Sequence, residues 1–393
     1  MSRRQSWLPL AAILVLAFNL RPVAISVGPV LEEISRDVGL SAVGAGLLTS
    51  LPTLAFAVFG ALAPGLARRL GAHVVIGIAL VGLLVGQIAR ALVDSAVGFL
   101  LLSILALGGM ALANVLLPSL VRLHFPHRVG LATALYSLVM TMGVTAASAG
   151  TVPLAQALGG WQAAFIAAAA LAVAALVCWI PLLIVSRRQP SAPPEAGHTM
   201  AAVARTRLGW AMALFFGIQS AQAYSIFGWL PSVFRSAGLS DVDAGFMLGI
   251  ATGVGIIPSF LIPAYVARAQ HPQRLFLVLV ASLVIGFVGL LVAPAASPAV
   301  WSFCLAIGTA SFPLILALFG LRARTASATA ALSGFTQAIG YLIATAGPLL
   351  FGTLYAWTGG WTASIGLQLA LVIPMVIVGL YSLRPQYIED QLP

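Results

Sequence analysis

Apolar residues in this chain run in long unbroken blocks, separated by short stretches of arginine, glycine and proline. Blocks near or above the roughly 20 residues that cross a bilayer predict transmembrane helices. The breaks place spans near 7–30, 43–66, 73–92, 97–121, 130–152 and 161–185, then near 208–234, 244–266, 274–293, 299–321, 330–352 and 362–383. The blocks do not alternate apolar and polar positions in about ten-residue pieces, so an outer-membrane barrel is a poor fit. The pattern predicts an all-α membrane protein with twelve transmembrane helices.

Composition closes off the alternatives. Of 393 residues, 61% are hydrophobic and 7% charged, against roughly 25% charged in an average soluble protein. The net charge of +10 brings nucleic acid to mind, but the basic residues are scattered through short loops instead of clustered on one surface. All 19 are arginine, and their placement sets the orientation, because positive charge is retained in cytoplasmic loops. Arg3, Arg4, Arg68, Arg69, Arg122, Arg128, Arg187, Arg188, Arg205, Arg207, Arg268, Arg274, Arg322, Arg324 and Arg384 fall on one side, Arg36 and Arg235 on the other, and Arg21 and Arg90 inside spans. Both termini are therefore expected in the cytoplasm. So is the linker 186–207, with Pro190, Pro193 and Pro194, whose composition points to poor order.

The apolar run after Arg3-Arg4 lacks a small-residue cleavage site and is followed by eleven more spans, so it is expected to be a retained anchor. Cys178 and Cys304 lie inside spans as packing or lipid-facing residues, and no disulfide framework, metal spacing or cofactor motif is present.

Internal repetition organises the spans. Gly39-Leu40-Ser41 recurs as Gly238-Leu239-Ser240, Pro64 as Pro263 and Arg69 as Arg268 at an offset of 199; Gly108, Arg122 and Gly159-Gly160-Trp161 recur as Gly308, Arg322 and Gly359-Gly360-Trp361 at 200. A collinear series of this kind implies duplication: an N-terminal six-helix half over 1–185, the linker 186–207 and a C-terminal half over 208–393. Six spans return the chain to its starting side, so the halves are parallel, related by an axis along the membrane normal.

Parallel six-helix halves joined by a basic linker resemble the major facilitator superfamily. Leu66-Ala67-Arg68-Arg69-Leu70-Gly71 resembles its loop signature, departing at Arg68, where Asp is usual, and at Pro64, where Gly is usual. Asn19-Leu20-Arg21-Pro22, Ser26-Val27-Gly28-Pro29, Arg90, Gly228-Trp229-Leu230-Pro231 and Phe312-Pro313 are similar to the cyanate permease and 2-nitroimidazole transporter group. The resemblance spans nearly the whole chain. It implies a monomeric transporter of the bacterial inner membrane, carrying a cyanate-like anion, a small organic acid or a nitroimidazole-like compound.

Arg21 is informative without any resemblance. An arginine well inside a span costs about 2.5–3.5 kcal/mol on insertion scales and should face the bundle interior or a wet cavity. Pro22 lacks an N–H, which leaves the Phe18 carbonyl without its helical partner beside the cation. A structural alternative bonds Arg21 to backbone carbonyls or pairs it with Glu32 or Glu33. Against it, Glu32 is 11 positions on, about 16 Å along a helix. Every acid falls outside the membrane: Glu32, Glu33, Asp37, Asp94, Asp241 and Asp243 on one side, Glu195, Glu389 and Asp390 on the other. A buried cation without a fixed counter-ion predicts a small anionic or anion-like polar substrate, which Arg can bind bidentately.

Neutral polar residues supply further candidates. Thr133, Ser137, Thr141 and Thr145 recur every four positions in the fifth span, and Ser333, Gln337, Tyr341 and Thr345 follow at an offset of 200 in the eleventh. A spacing of four keeps one helical face, which either lines a cavity or glues helices together. Gln337, Tyr341, Gln219 and Gln222 are the stronger substrate-binding candidates, with Asn19, Asn114 and Tyr136 behind them. Trp229 is a candidate aromatic wall. Arg90 reads equally as a second anion contact or as a snorkelling residue paired with Asp94.

His73, His124, His127, His198 and His271 all fall at or near loops, and no catalytic elbow, zinc motif or P-loop is present, so neither an intramembrane enzyme nor an ATP-driven pump is expected. An anion-selective channel or uncoupled facilitator is the competing class, and a two-fold repeat suits alternating access better.

Overall fold

The computed structural model describes residues 3–125, 129–186, 199–266 and 268–391. Arg128, Arg187, Arg188, Glu195, His127, His198 and the linker prolines lie outside the described residues, as do the side chains of Arg3, Arg4, Pro64, Arg68, Arg122 and Thr133. Among the described residues all regular structure is helical.

Twelve helical units follow in order. α1 is assembled from Arg3–Leu20, Pro22–Ile25, the 3-10 turn Gly28–Val30 and Leu31–Val38. α2 is Ala42–Leu70, α3 Ala72–Ala91, α4 Ala96–His124, α5 Val129–Leu158 and α6 Trp161–Ser186. α7 is Arg207–Ser236, α8 Asp241–Gly253 with Ile256–Val266, and α9 Pro272–Val292. α10 joins Pro298–Thr309 to Ser311–Leu321, α11 joins Ala326–Ala344 to Ala346–Thr358, and α12 is Thr362–Ser382. Eleven of the twelve contain a segment long and apolar enough to cross a membrane. The exception is α7, whose length suffices at 30 residues but whose apolar run is diluted by Gln219, Ser220, Gln222, Tyr224 and Ser225.

The repeated motifs occupy equivalent structural places. Gly39 and Gly238, at φ 71° and 96°, end the first and seventh units in the left-handed region that favours glycine. Ser41 and Ser240 then cap the next helices, each hydroxyl accepting the N–H three residues on at 3.1 Å. Trp161 donates its indole N–H to Asp37 at 2.8 Å, tying α6 to the end of α1. Trp361 does the same from the start of α12, donating to the Ser236 hydroxyl at the end of α7 at 2.9 Å.

The two sets of six meet chiefly at the end of the bundle holding these turns, called here the outer end. A Cβ built on Gly46 of α2 would lie 3.1 Å from the Leu349 carbonyl of α11. Thr53 bonds Thr345 at 3.1 Å, and Thr252 of α8 bonds Ser148 of α5 at 3.3 Å. Arg235 of α7 reaches across to α1, donating to the Pro29 carbonyl at 2.7 Å and to Glu32 at 3.2 Å. Toward the opposite end, called here the linker end because Ser186 and Arg207 bound it, the second portion of α8 hardly meets α5, and the second portion of α10 packs chiefly within its own set.

Candidate functional site

The site begins with the interruption of α1. Its first 18 residues are regular helix, about 27 Å of rise, and the chain turns at Arg21 because Pro22 can neither donate nor continue the ladder. The sequence predicts an unpartnered Phe18 carbonyl, and here α5 closes on it. A Cβ at Gly143 would lie 2.3 Å from that oxygen, so only glycine permits the approach. The Val23 carbonyl, at the second interruption, accepts from Arg90 Nη2 at 2.9 Å. Breaking the helix thus turns the Arg21 side chain into a cavity while its neighbouring backbone oxygens are covered.

That cavity has a volume of about 500 Å³, within the roughly 300–1,000 Å³ usual for small-molecule sites. It is bounded by α1, α5, α7, α8, α10 and α11, and extends from Arg21 toward the linker end as far as Pro263 and Ala317. Arg21 is half-buried there, its exposed part facing the cavity. Its Nη1 donates to the Tyr224 hydroxyl at 2.9 Å, the Phe56 ring covers one face of the guanidinium with its centroid 5.4 Å from Cζ, and Tyr341 is its other phenol neighbour. Among the described residues no acidic or histidine side chain lines the cavity. Glu32 pairs with Arg235 instead, at 3.2 Å, so the Glu32 partner of the structural alternative is engaged elsewhere.

Of the residues singled out from sequence, Arg21, Gln219 and Tyr341 come together on this cavity, with Ser137, Thr141 and Ser220. Gln219 donates to Ser220 at 2.6 Å and to the Phe216 carbonyl at 3.2 Å, while its buried Oε1 has no partner. The other candidates are not among the residues lining it. Asn19 faces a separate crevice of about 530 Å³ on the other side of α1, between α3, α5 and α6, and bonds the Leu171 and Val15 carbonyls, each at 2.9 Å. Gln222 is buried against α12, donating to the Gln368 carbonyl at 3.0 Å. Gln337 bonds Ser333 at 2.8 Å within its own helix. Asn114 and Tyr136 are half-buried on α4 and α5. Trp229 donates to the Pro348 carbonyl at 3.0 Å as a tie between α7 and α11.

Arg90 does not snorkel to Asp94. It is fully buried, 4.6 Å over the Phe165 ring and 2.5 Å from Gln87 Oε1, with Nε and Nη1 lacking partners. It bears on the site by holding the second interruption of α1. The four-residue stripes split between both expected roles: Ser137, Thr141 and Tyr341 line the cavity, whereas Thr345 bonds α2 and Thr145 packs on Gly253. Tyr224 and Phe56 were not singled out from sequence. A helical signal existed for Tyr224, which lies four positions after Ser220, the 199-offset partner of Arg21. None existed for Phe56.

Comparisons with known proteins agree with this architecture. The chain is 34% identical over 381 residues to the 2-nitroimidazole transporter of Escherichia coli (strain K12), covering 97% of this chain and 96% of that protein. It is 27% identical over 374 residues to the cyanate transport protein CynX of the same organism, covering 94% and 96%. In fold it matches the inward-facing, occupied structure of a bacterial homolog of the human lysosomal transporter Spinster, with a TM-score of 0.79 at 16% identity over 100% of this chain and 99% of that one. Residues 10–348 carry the sequence pattern of the Major Facilitator Superfamily, and with a helical bundle of that fold and full-length kinship to its transporters, the chain belongs to that superfamily as a multi-pass membrane transporter and not an enzyme.

Proposed function

We propose that this chain carries a small anion, or an anion-like polar molecule, across a bacterial cytoplasmic membrane by alternating access between the halves 1–185 and 208–393. The linker 186–207 and both termini then lie in the cytoplasm, the cavity extends from Arg21 toward that side, and the outer end is held by Arg235, Glu32 and the Pro29 carbonyl. The observation that carries the reading is Arg21: a cation on the wall of a cavity inside the helical bundle, with phenols for neighbours and, among the described residues, no carboxylate lining the space. Such a charge is compensated by water when empty and by an anion when loaded. The relatives named for cyanate and 2-nitroimidazole fit small polar cargo of this kind.

Among the described residues no acid or histidine lines the cavity to carry a fixed proton relay. Driving by anion exchange, by facilitated diffusion or by proton movement with the substrate itself follows. The test is binding and proteoliposome uptake of a panel of small anions. Arg21→Ala should abolish saturable uptake in monodisperse protein, and Arg21→Lys should restore it only partly, because an ammonium lacks the planar fork. Affinities within about twofold of wild type in both variants overturn the reading, since a charge-assisted contact is worth about 1.5–3 kcal/mol.

A further inference from the structure

We propose that the cavity is built for a flat aromatic monoanion with a two-oxygen head, an arylcarboxylate in its simplest form, and not for a linear ion such as cyanate; this rests on the anion reading above. The first ground is the arrangement of rings around the single cation. Phe56 stacks on Tyr341 at 4.8 Å and 18°, and Tyr341 meets Phe216 edge-on at 4.9 Å and 85°. Phe216 leans on Phe312 at 5.8 Å, and Tyr224 meets Phe227 edge-on at 5.6 Å and 72°. Four of these rings, Tyr224, Phe227, Phe312 and Tyr341, line the cavity itself. A planar ring entering among them gains stacked or edge-to-face contacts that a saturated body of equal size does not.

The second ground is what remains of the guanidinium. Phe56 covers one face, Tyr224 accepts from Nη1 and Tyr341 stands beside it as a second phenol, so the cargo reaches Arg21 from the cavity side alone, where planar N–H donors match two oxygens held in one plane. A linear ion presents one terminal atom and uses a single donor well. The third is the rest of the wall: Met140, Val144, Ala223 and Leu316 are apolar, and a three-atom ion at Arg21 would leave them facing water with no hydrophobic gain. Charge limits the ligand as well. Arg21 is the only charged side chain lining the cavity among the described residues, so a second negative charge would be desolvated without compensation.

The test is isothermal titration of the purified full-length chain with benzoate, cyclohexanecarboxylate, acetate and cyanate, in wild type, Arg21→Gln and the double variant Phe227→Leu/Phe312→Leu. Benzoate should bind at least about tenfold tighter than acetate or cyanate, as burial of its ring requires. It should bind about fivefold tighter than cyclohexanecarboxylate, the increment of an aromatic contact. The double variant should erase the preference for benzoate over cyclohexanecarboxylate and leave acetate within about twofold of wild type; if it does not fold, the wild-type series alone decides. Cyanate or acetate binding as tightly as benzoate, with Arg21→Gln abolishing all of it, overturns the aromatic inference and leaves the anion reading standing. Binding of the series that is indifferent to Arg21→Gln, or no binding at all, overturns both.

Discussion

Positions 21 and 220 are equivalent under the 199-residue repeat, yet α1 carries Arg and α7 carries Ser, and both line the cavity. Around them the two sets of six contribute differently. The first set supplies the cation, the interrupted helix that presents it and Phe56 behind it, while the second supplies Tyr224, Phe227, Phe312 and Tyr341. Where structure alone is needed the copies stay alike, as in the paired glycine turns, serine caps and tryptophan ties. Duplication thus preserved what packs the bundle, and the copies diverged where the cavity needs one charge facing a wall of rings. Two arginines at symmetric positions would repel across a low-dielectric space, and two sets of rings would leave the cargo's charge unpaired.

The strongest way to break this comparison is to move the charge to its symmetry mate. Arg21→Ser with Ser220→Arg keeps the net charge and the residue types, but the rings and phenols surround position 21. Benzoate affinity should fall roughly 30-fold or more, no better than Arg21→Ser alone, consistent with loss of a charge-assisted contact worth about 1.5–3 kcal/mol. Wild-type affinity in the swapped chain would mean that the halves are interchangeable at the site.

A smaller effect separates the two ties that resemble each other. Asn19 joins α1 to α6 through the Leu171 carbonyl, and Gln222 joins α7 to α12 through the Gln368 carbonyl. Asn19→Ala should lower stability in detergent by about 1 kcal/mol. Gln222→Ala should cost less, because its buried Oε1 lacks a partner and removing it relieves that penalty. Both should leave benzoate affinity within about threefold, being worth less than a charge-assisted contact. A tenfold loss in Gln222→Ala would return that residue to the binding site.

The smallest effect lies at the linker end of the second set. Glu389 accepts N–H bonds from Arg324 at 2.7 Å and Thr325 at 2.9 Å, just ahead of α11. Partial burial would raise its pKa, but these donors outweigh that and hold the carboxyl below its ordinary range. A lowered pKa makes the contribution full above the unfolded value and lost as pH falls through the folded one. Glu389→Gln should therefore lower the melting midpoint at neutral pH only slightly, because solvent screens so exposed a carboxylate. The gap from wild type should narrow as pH falls below the ordinary glutamate range, read as melting midpoints across pH.

Twelve spans, the two pseudo-symmetric halves and a cation inside the first span were legible in the sequence because each follows from local chemistry. A bilayer admits only runs that satisfy their own backbone, a repeat survives as matching turn residues, and an interior arginine is rare enough to stand out wherever it falls. Arg21 needed no partner to be noticed. Which neutral side chains would join it was a different matter. Gln219 and Gln222 lie three apart on one helix, but one reaches the cavity and the other the α7–α12 contact, because helix rotation is set by packing and not by periodicity. Arg90 looked able to reach water and is sealed inside, drawn to a carbonyl that only the broken α1 exposes. Phe56 and Phe227 are common apolar residues with no local mark, and they acquire their roles only when two halves, nearly 200 positions apart, close around one guanidinium. Composition and repetition therefore determined the scaffold and the sign of the charge, while the shape into which that charge points was decided by contacts between distant spans, which no local pattern encodes.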